Sequence, residues 1–174
     1  MFLHEIKTGD KVFIDANIFV YHFSKGSEFN KSCTEFLYRI ETSQIHGFTS
    51  IGTIMEAVHR LMMVEASAAI DAETRNLPKH LKQHPDAVKQ LTKHLSVPQR
   101  IAGLNIEILQ ITLKTLDESQ AYKTKYGFLS NDAVALKIME TAGINNLASN
   151  DADFKRVEWL NLYLPSPSDS SSVS

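Results

Sequence analysis

The apolar residues of this chain fall into short compact runs that alternate with stretches of helical periodicity. A compact or alternating apolar run of about four to eight residues is typical of a strand. Such runs predict strands at 11–14, 45–50, 106–109, 146–149 and 160–164. The first run stops at Asp15, so this carboxylate is expected at the carboxyl end of a strand buried on both faces.

Apolar residues spaced three and four positions apart predict the helices that connect these strands. The helical stretches are 18–23, 30–40, 51–62, 112–126 and 130–142. Ser50 and Ser130 are predicted to cap the starts of two helices, and Gly127 and Gly143 to end two. Strands that alternate with helices predict an α/β fold, a three-layer α/β/α sandwich with a mainly parallel central sheet.

One stretch departs from this alternation, and we interpret it as a basic helical insertion at about 65–100. The part from Arg75 to Arg100 holds six Lys or Arg residues and three His residues, but a single acid. Three prolines divide it into short helical pieces. Clustered cations bind phosphate without sequence preference, although a solvated helical face is the simpler explanation. The candidate RNA contacts are Lys79, Lys82, Lys89, Lys93 and Arg100.

The 174 residues, 43% hydrophobic and 22% charged, have the length and composition of one globular domain. We predict a single domain over 1–165 and a disordered tail over 166–174. The net charge of −2 requires any polyanion to meet a local basic patch. One cysteine excludes an internal disulfide, and no apolar stretch nears the roughly 18 residues that span a bilayer. We therefore expect a cytoplasmic protein without a membrane partner.

Four carboxylates are expected to converge at one edge of the predicted sheet. Asp15 and Asp151 follow strands, Glu56 lies beside the apolar stripe of a helix, and Asp132 falls in the first turn of another. Carboxylates packed together repel, and Mg²⁺ or Mn²⁺ is the natural compensating ion. Such an ion activates water for attack on a phosphodiester. Each acid alone is more simply a cap or a solvated residue, but the four together predict nuclease chemistry.

The order and spacing of these segments resemble the PIN domain family, and within it the VapC-like endoribonucleases. The matching segments are FIDANI at 13–18, TS at 49–50 with IMEAV at 54–58, KYGFLSNDA at 125–133, LASNDADF at 147–154 and LYLP at 162–165. The resemblance spans about 11–165. It implies a PIN-like nuclease domain whose metal-binding catalytic residues are Asp15, Glu56, Asp132 and Asp151, with Asn17, Ser149 and Asp153 in support.

The resemblance also implies an activity and partners. The expected enzyme is a divalent-metal-dependent endoribonuclease that leaves 5′-phosphate and 3′-hydroxyl ends on RNA. An antitoxin protein and a second copy of the chain, forming a homodimer, are the partners that the family implies. The alternative is a PIN-like module that binds RNA or protein with little or no catalysis. The intact acids argue against this module, because mutually repelling carboxylates serve no purpose in binding alone.

Overall fold

Five parallel strands form the central sheet, in the order β3-β2-β1-β4-β5. The computed structural model describes residues 1–69 and 76–168. The strands are β1 Lys11–Ile14, β2 His46–Ser50, β3 Glu107–Leu109, β4 Asn146–Ala148 and β5 Asn161–Tyr163. The parallel sheet confirms the predicted α/β class, and every predicted strand is present.

Helices connect the strands. Their bounds are α1 Ala16–Phe23, α2 Asn30–Glu41, α3 Ile51–Ala69, α4 Leu77–Gln83, α5 Pro85–Lys89, α6 Val97–Ala102, α7 Leu113–Tyr126 and α8 Ser130–Ala142. Ser50 caps α3 as predicted, because its Oγ accepts a hydrogen bond from the Thr53 N–H at 3.2 Å. Gly127 and Gly143 end α7 and α8 in the left-handed region, with φ of +72° and +64°.

The predicted cap at Ser130 is wrong. Leu129 holds the N-cap position of α8 with an extended backbone, φ −74° and ψ 171°, and no side chain caps this helix. The helical conformation therefore already includes Ser130 as its first residue. The hydroxyl-bearing side chain instead lines a cavity at the sheet edge.

The two faces of the sheet bury separate hydrophobic cores. Val12 and Ile14 of β1 pack in one core with residues of α1, α2 and α3. Phe13, between them, packs in a second core with residues of α7 and α8. Because successive residues of a strand point to opposite faces, helices cover both faces of the sheet. This arrangement confirms the predicted three-layer sandwich.

The basic stretch follows α3 as α4, α5, a 3₁₀ turn at Lys93–Ser96 and α6. A proline lies in the first turn of each of these three α-helices, where a missing N–H breaks no helical hydrogen bond. Leu81 and Leu91 pack with Ala66 of α3 in a small third core. Arg75 of this stretch lies outside the described residues.

Glu65 of α3 anchors the 3₁₀ turn of this stretch. Its carboxylate accepts hydrogen bonds from the N–H groups of Thr92 at 2.9 Å and Lys93 at 3.0 Å, and contacts His94 Nδ1 at 3.1 Å. The side chains of Glu65 and His94 are each only 9% exposed. Burial alone would raise the pKa of Glu65, but the hydrogen bonds outweigh it and lower this pKa to about 2.

Replacing Glu65 by Gln is expected to lower the free energy of unfolding by about 2 kcal/mol at neutral pH, because an NH₂ group would then face backbone N–H donors. At about 2–4 °C per kcal/mol, the melting temperature should fall by about 4–8 °C. The carboxylate stabilises the fold fully above its ordinary pKa of 4.5, and this contribution is lost as the pH falls toward 2. The exposed Glu35→Gln on α2 is the matched control. Equal melting temperatures for the two variants would contradict the anchoring role.

The segment after β5 packs near the start of α2. The Ser166 N–H donates to Ser32 Oγ at 3.1 Å, and the Ser168 N–H donates to the Glu28 carbonyl at 2.7 Å. The rest of the predicted tail, residues 169–174, lies outside the described residues, so its disorder stays a prediction. Among the helices of residues 1–69 and 76–168, none combines the length and the apolar character needed to cross a bilayer.

Candidate active site

The strand order creates a topological switch point between β1 and β4. From β1 the chain builds outward through β2 and β3 on one side, and later places β4 on the other side of β1. The loops that follow two such strands diverge, which leaves a crevice at the carboxyl ends of the strands. Asp15 directly follows β1, and Asp151 lies in the loop after β4. The fold therefore brings these two predicted acids to the same crevice.

Asp15 is held in place as the N-cap of α1. Its Oδ1 accepts a hydrogen bond from the Ala16 N–H at 2.7 Å. Its Oδ2 accepts from the Ser149 hydroxyl at 2.7 Å and from the Asn17 side-chain amide at 2.5 Å. Asp15 can therefore be both a helix cap and a site residue. The bond from Ala16 caps the helix, and the bonds from Ser149 and Asn17 orient the same carboxylate.

Ser149 connects the two loops of the crevice. Besides donating to Asp15, its buried Oγ accepts hydrogen bonds from Asn17 Nδ2 at 2.9 Å and from the Asp151 N–H at 3.0 Å. Asn17 is also buried, and its Oδ1 accepts from the Asn150 N–H at 3.1 Å. Two of the three predicted support residues, Asn17 and Ser149, therefore contact the loops that carry the first and last acids.

Asp153 is placed differently from the other acids. Asp151 caps the 3₁₀ turn Ala152–Arg156 by accepting from the Asp153 N–H at 2.8 Å. The Asp153 carboxylate itself pairs with Arg156 at 2.7 Å, and its side chain is 69% exposed. Asp153 therefore lies beside the crevice, and its carboxylate is paired with Arg156.

Glu56 and Asp132 face the crevice from α3 and α8. The Asn131 side-chain amide donates to Glu56 Oε2 at 3.0 Å, and the Arg60 guanidinium lies 3.8 Å from Glu56 Oε1. Asp132 lies in the first turn of α8, where the helix dipole favours a carboxylate. A cavity of about 210 Å³ is lined by Asp15, Glu56 and Asp132 together.

Burial and mutual repulsion perturb the acids of this cavity. Burial raises the pKa of Asp15 to about 6, although its own hydrogen bonds oppose the shift, and Glu56 adds to it. Burial likewise raises the pKa of Asp132 to about 6, with further contributions from the charges of Asp15, Glu56, Asp151 and Asp153. The acids predicted from sequence thus share one electrostatic environment, which a cation would relieve.

The carboxylate oxygens that line the cavity are suitable ligands for a hard divalent cation. Three carboxylates line it, and oxygen ligands of this kind suit Mg²⁺ and Mn²⁺. Within the described residues, no three His, Cys, Asp or Glu side chains meet the geometry of a formed metal site. Uncompensated carboxylates repel one another, so an ion would have to draw them together on binding.

Sequence reasoning missed several residues that hold the acids in place. Arg60 lies four positions after Glu56, a spacing that signals a helical ion pair. Asn131 precedes Asp132 in the chain, but its bond to Glu56 joins residues 75 positions apart and has no local signal. The hydrogen bond from the Asn150 side chain to the Tyr21 hydroxyl, at 3.1 Å, also joins residues far apart in the chain and has no local signal.

The predicted RNA-contact residues differ in their surroundings. Lys79 and Lys82 are exposed on α4, and Lys89 pairs with Asp86 at 2.8 Å. Lys93 and Arg100 instead line a cavity of about 460 Å³ at the far end of α1 and α3.

Comparison with known proteins places this arrangement in a family. A model of the PIN domain matches residues 12–160. Ribonuclease VapC2 of Methanocaldococcus jannaschii is 30% identical over 158 residues, which are 88% of this chain and 93% of that protein. The matched region contains every acid of the crevice.

Solved structures share the fold at low sequence identity. VapC20 of Mycobacterium tuberculosis, a toxin that cleaves the sarcin–ricin loop, is 13% identical with a TM-score of 0.56, covering 83% of this chain and 92% of that one. VapBC2 of Rickettsia felis, bound to a promoter DNA fragment, is 16% identical with a TM-score of 0.54, covering 90% and 99%. Since the family model spans most of the chain and a relative is 30% identical over nearly all of it, this protein belongs to the PIN domain family.

Proposed function

We propose that this protein is a divalent-metal-dependent endoribonuclease that hydrolyses RNA phosphodiester bonds at the acidic cavity. The observation that carries the proposal is that Asp15, Glu56 and Asp132 line one cavity, while burial and mutual repulsion raise the pKa of Asp15 and Asp132 to about 6. Repulsion between these carboxylates destabilises the fold. Such a cluster is therefore typical of a site that binds a cation together with an anionic substrate.

The residues of the crevice have separable roles in this proposal. Asp15, Glu56, Asp132 and Asp151 would hold Mg²⁺ or Mn²⁺, which supplies an activated water and charge stabilisation. Asn17 and Ser149 orient Asp15 through the hydrogen bonds described above. Asn131 and Arg60 direct the Glu56 carboxylate through a hydrogen bond and an ion pair. Such contacts fix the geometry of a site before the substrate binds.

The relatives support RNA as the substrate and a protein antitoxin as a partner. One relative is named a ribonuclease, and similar structures include a toxin that cleaves the sarcin–ricin loop and a toxin–antitoxin complex from Klebsiella pneumoniae, 18% identical with a TM-score of 0.51. We extend both properties to this chain as part of the proposal. A homodimer stays an expectation of the family resemblance, and a cytoplasmic location stays an expectation from the sequence composition.

The first test is cleavage of a labelled single-stranded RNA panel by the purified protein with Mg²⁺, with Mn²⁺ and with EDTA. Cleavage is expected in both metal lanes, none in EDTA, and recovery when excess Mn²⁺ is added back. Attack by water leaves no 2′,3′-cyclic phosphate, and the family resemblance implies 5′-phosphate and 3′-hydroxyl as the new ends. Cleavage in EDTA with 2′,3′-cyclic phosphate ends would mean attack by the RNA's own hydroxyl and would contradict the proposal. A folded protein that binds RNA without cutting it in any lane would favour the binding-module alternative.

A further inference from the structure

A second cavity lies at the opposite end of α1 from the acids. It has a volume of about 460 Å³, which is within the size range of pockets for small ligands. Its walls come from the carboxyl end of α1, the second half of α3, the 3₁₀ turn Lys93–Ser96 and α6. Apolar side chains form much of the wall: Phe23, Leu61, Val64, Ala68 and Val97.

Three cations border this cavity, namely Lys25, Lys93 and Arg100. Within residues 1–69 and 76–168, none of them has a carboxylate partner. The Arg100 guanidinium lies over the Phe23 ring, 4.4 Å from its centroid. A guanidinium stacked in this way keeps its N–H edges available for an anion.

The other charged groups at the cavity do not cancel these cations. Glu65 lines it and carries one negative charge, with its carboxylate oxygens directed to the N–H groups of Thr92 and Lys93 and to His94. The carboxyl end of α1 contributes only about half a negative charge. Among the residues that the structure describes, the three cations therefore outweigh the negative charge, and the cavity favours an anion.

Building on the nuclease activity proposed above, we propose that this cavity is a substrate subsite that binds one nucleotide of the RNA strand. Lys25, Lys93 and Arg100 hold its phosphate, and the apolar walls contact its base and sugar. The eight residues of α1 separate the cavity from Asp15 by about 12 Å. About four stacked nucleotides cover this distance at 3.4 Å each. The subsite would thus bind the strand a few nucleotides away from the bond that is cut.

The test compares two double variants of the full chain, Lys93→Gln with Arg100→Gln at the cavity and Lys7→Gln with Lys11→Gln as the matched control. Lys7 and Lys11 are exposed and lie just before and at the start of β1, at the opposite end of this strand from the acids. Binding of a labelled single-stranded RNA of about 12 nucleotides is measured in EDTA by fluorescence anisotropy at several salt concentrations. The cavity variant should bind about tenfold more weakly, and the slope of log K against log salt should fall by about 0.7, because both side chains contact the same phosphate. The control should bind like the wild type.

Each contrary result has a distinct meaning. Equal losses in both double variants, or none in the cavity variant, would overturn the subsite, while RNA cleavage by the wild type would leave the nuclease proposal standing. Unchanged RNA binding together with lost binding of a labelled poly-glutamate peptide would assign the cavity to a protein partner and overturn the subsite as well. A folded wild type that neither binds nor cuts RNA would defeat the nuclease proposal and the subsite with it.

Discussion

Replacing Asp15 by Asn is expected to reduce metal-dependent RNA cleavage by about 10³-fold or more, which corresponds to about 4 kcal/mol of transition-state stabilisation. The amide has nearly the same shape, and its oxygen can still accept hydrogen bonds from Ser149 and Asn17, although its NH₂ group then faces the Ala16 N–H. It lacks the negative charge that a divalent cation requires from its ligands. Initial rates on a cleaved RNA of the panel, with Mn²⁺ in excess, give the measurement.

The matched control for this loss is Asp86→Asn. Asp86 is another carboxylate, 89% exposed on α5 and paired with Lys89 away from the cavity. The Asp86→Asn protein should cleave RNA at the wild-type rate. Circular dichroism and thermal melting should show that Asp15→Asn remains folded. Full activity in a folded Asp15→Asn protein would remove this residue from the proposed catalytic set.

Without metal, the fold is expected to lose stability as the pH rises through about 6. A carboxyl group with a pKa raised from 3.8 to about 6 stabilises the folded state fully below pH 3.8 and loses that contribution as it ionises. A shift of this size in one group corresponds to about 3 kcal/mol. Asp15 and Asp132 interact, and Asp132 is partly exposed, so we expect about 3 kcal/mol in total instead of twice that amount.

The measurement is thermal unfolding in EDTA at pH 5 and pH 8 for the wild type and for a double variant, Asp15→Asn with Asp132→Asn. The difference between the two proteins removes the effect of other titrating groups, such as the half-buried His22, whose lowered pKa acts in the opposite direction. The double variant should be the more stable protein at pH 8, and the gap should shrink at pH 5. Excess Mn²⁺ should raise the melting temperature of the wild type alone. A double variant that melts below the wild type at pH 8 in EDTA would show that the charges of Asp15 and Asp132 do not destabilise the fold.

Several features of the fold and site have local signals in the sequence. Asp15 and Asp151 could be assigned to strand ends because apolar runs stop just before them, and Gly127 and Gly143 end helices because few other residues adopt positive φ. Asp132 falls in a first helical turn, a position that a window of a few residues reveals.

Features that depend on packing between distant segments could not be predicted in this way. The bond between Asn131 and Glu56 exists only because α3 and α8 meet at one cavity. The cavity cations could not be grouped from the basic stretch, since Lys25 comes from the loop after α1, well before that stretch. The predicted cap at Ser130 is one position too late, because the extended residue before α8 is Leu129, which carries no capping side chain.

The Ser149 hydroxyl that joins the two loops of the crevice also sets when activity can arise during synthesis. It bonds to Asp15 across 134 positions of sequence, through strands β1 and β4 that must already be paired. Contacts so distant in sequence form late, after the entropy of closing a long loop has been overcome. A growing chain therefore carries Asp15 on the ribosome for most of its synthesis without an assembled site. In a nuclease, this delay would protect the RNA of the translation machinery from each newly made copy until its fold is complete.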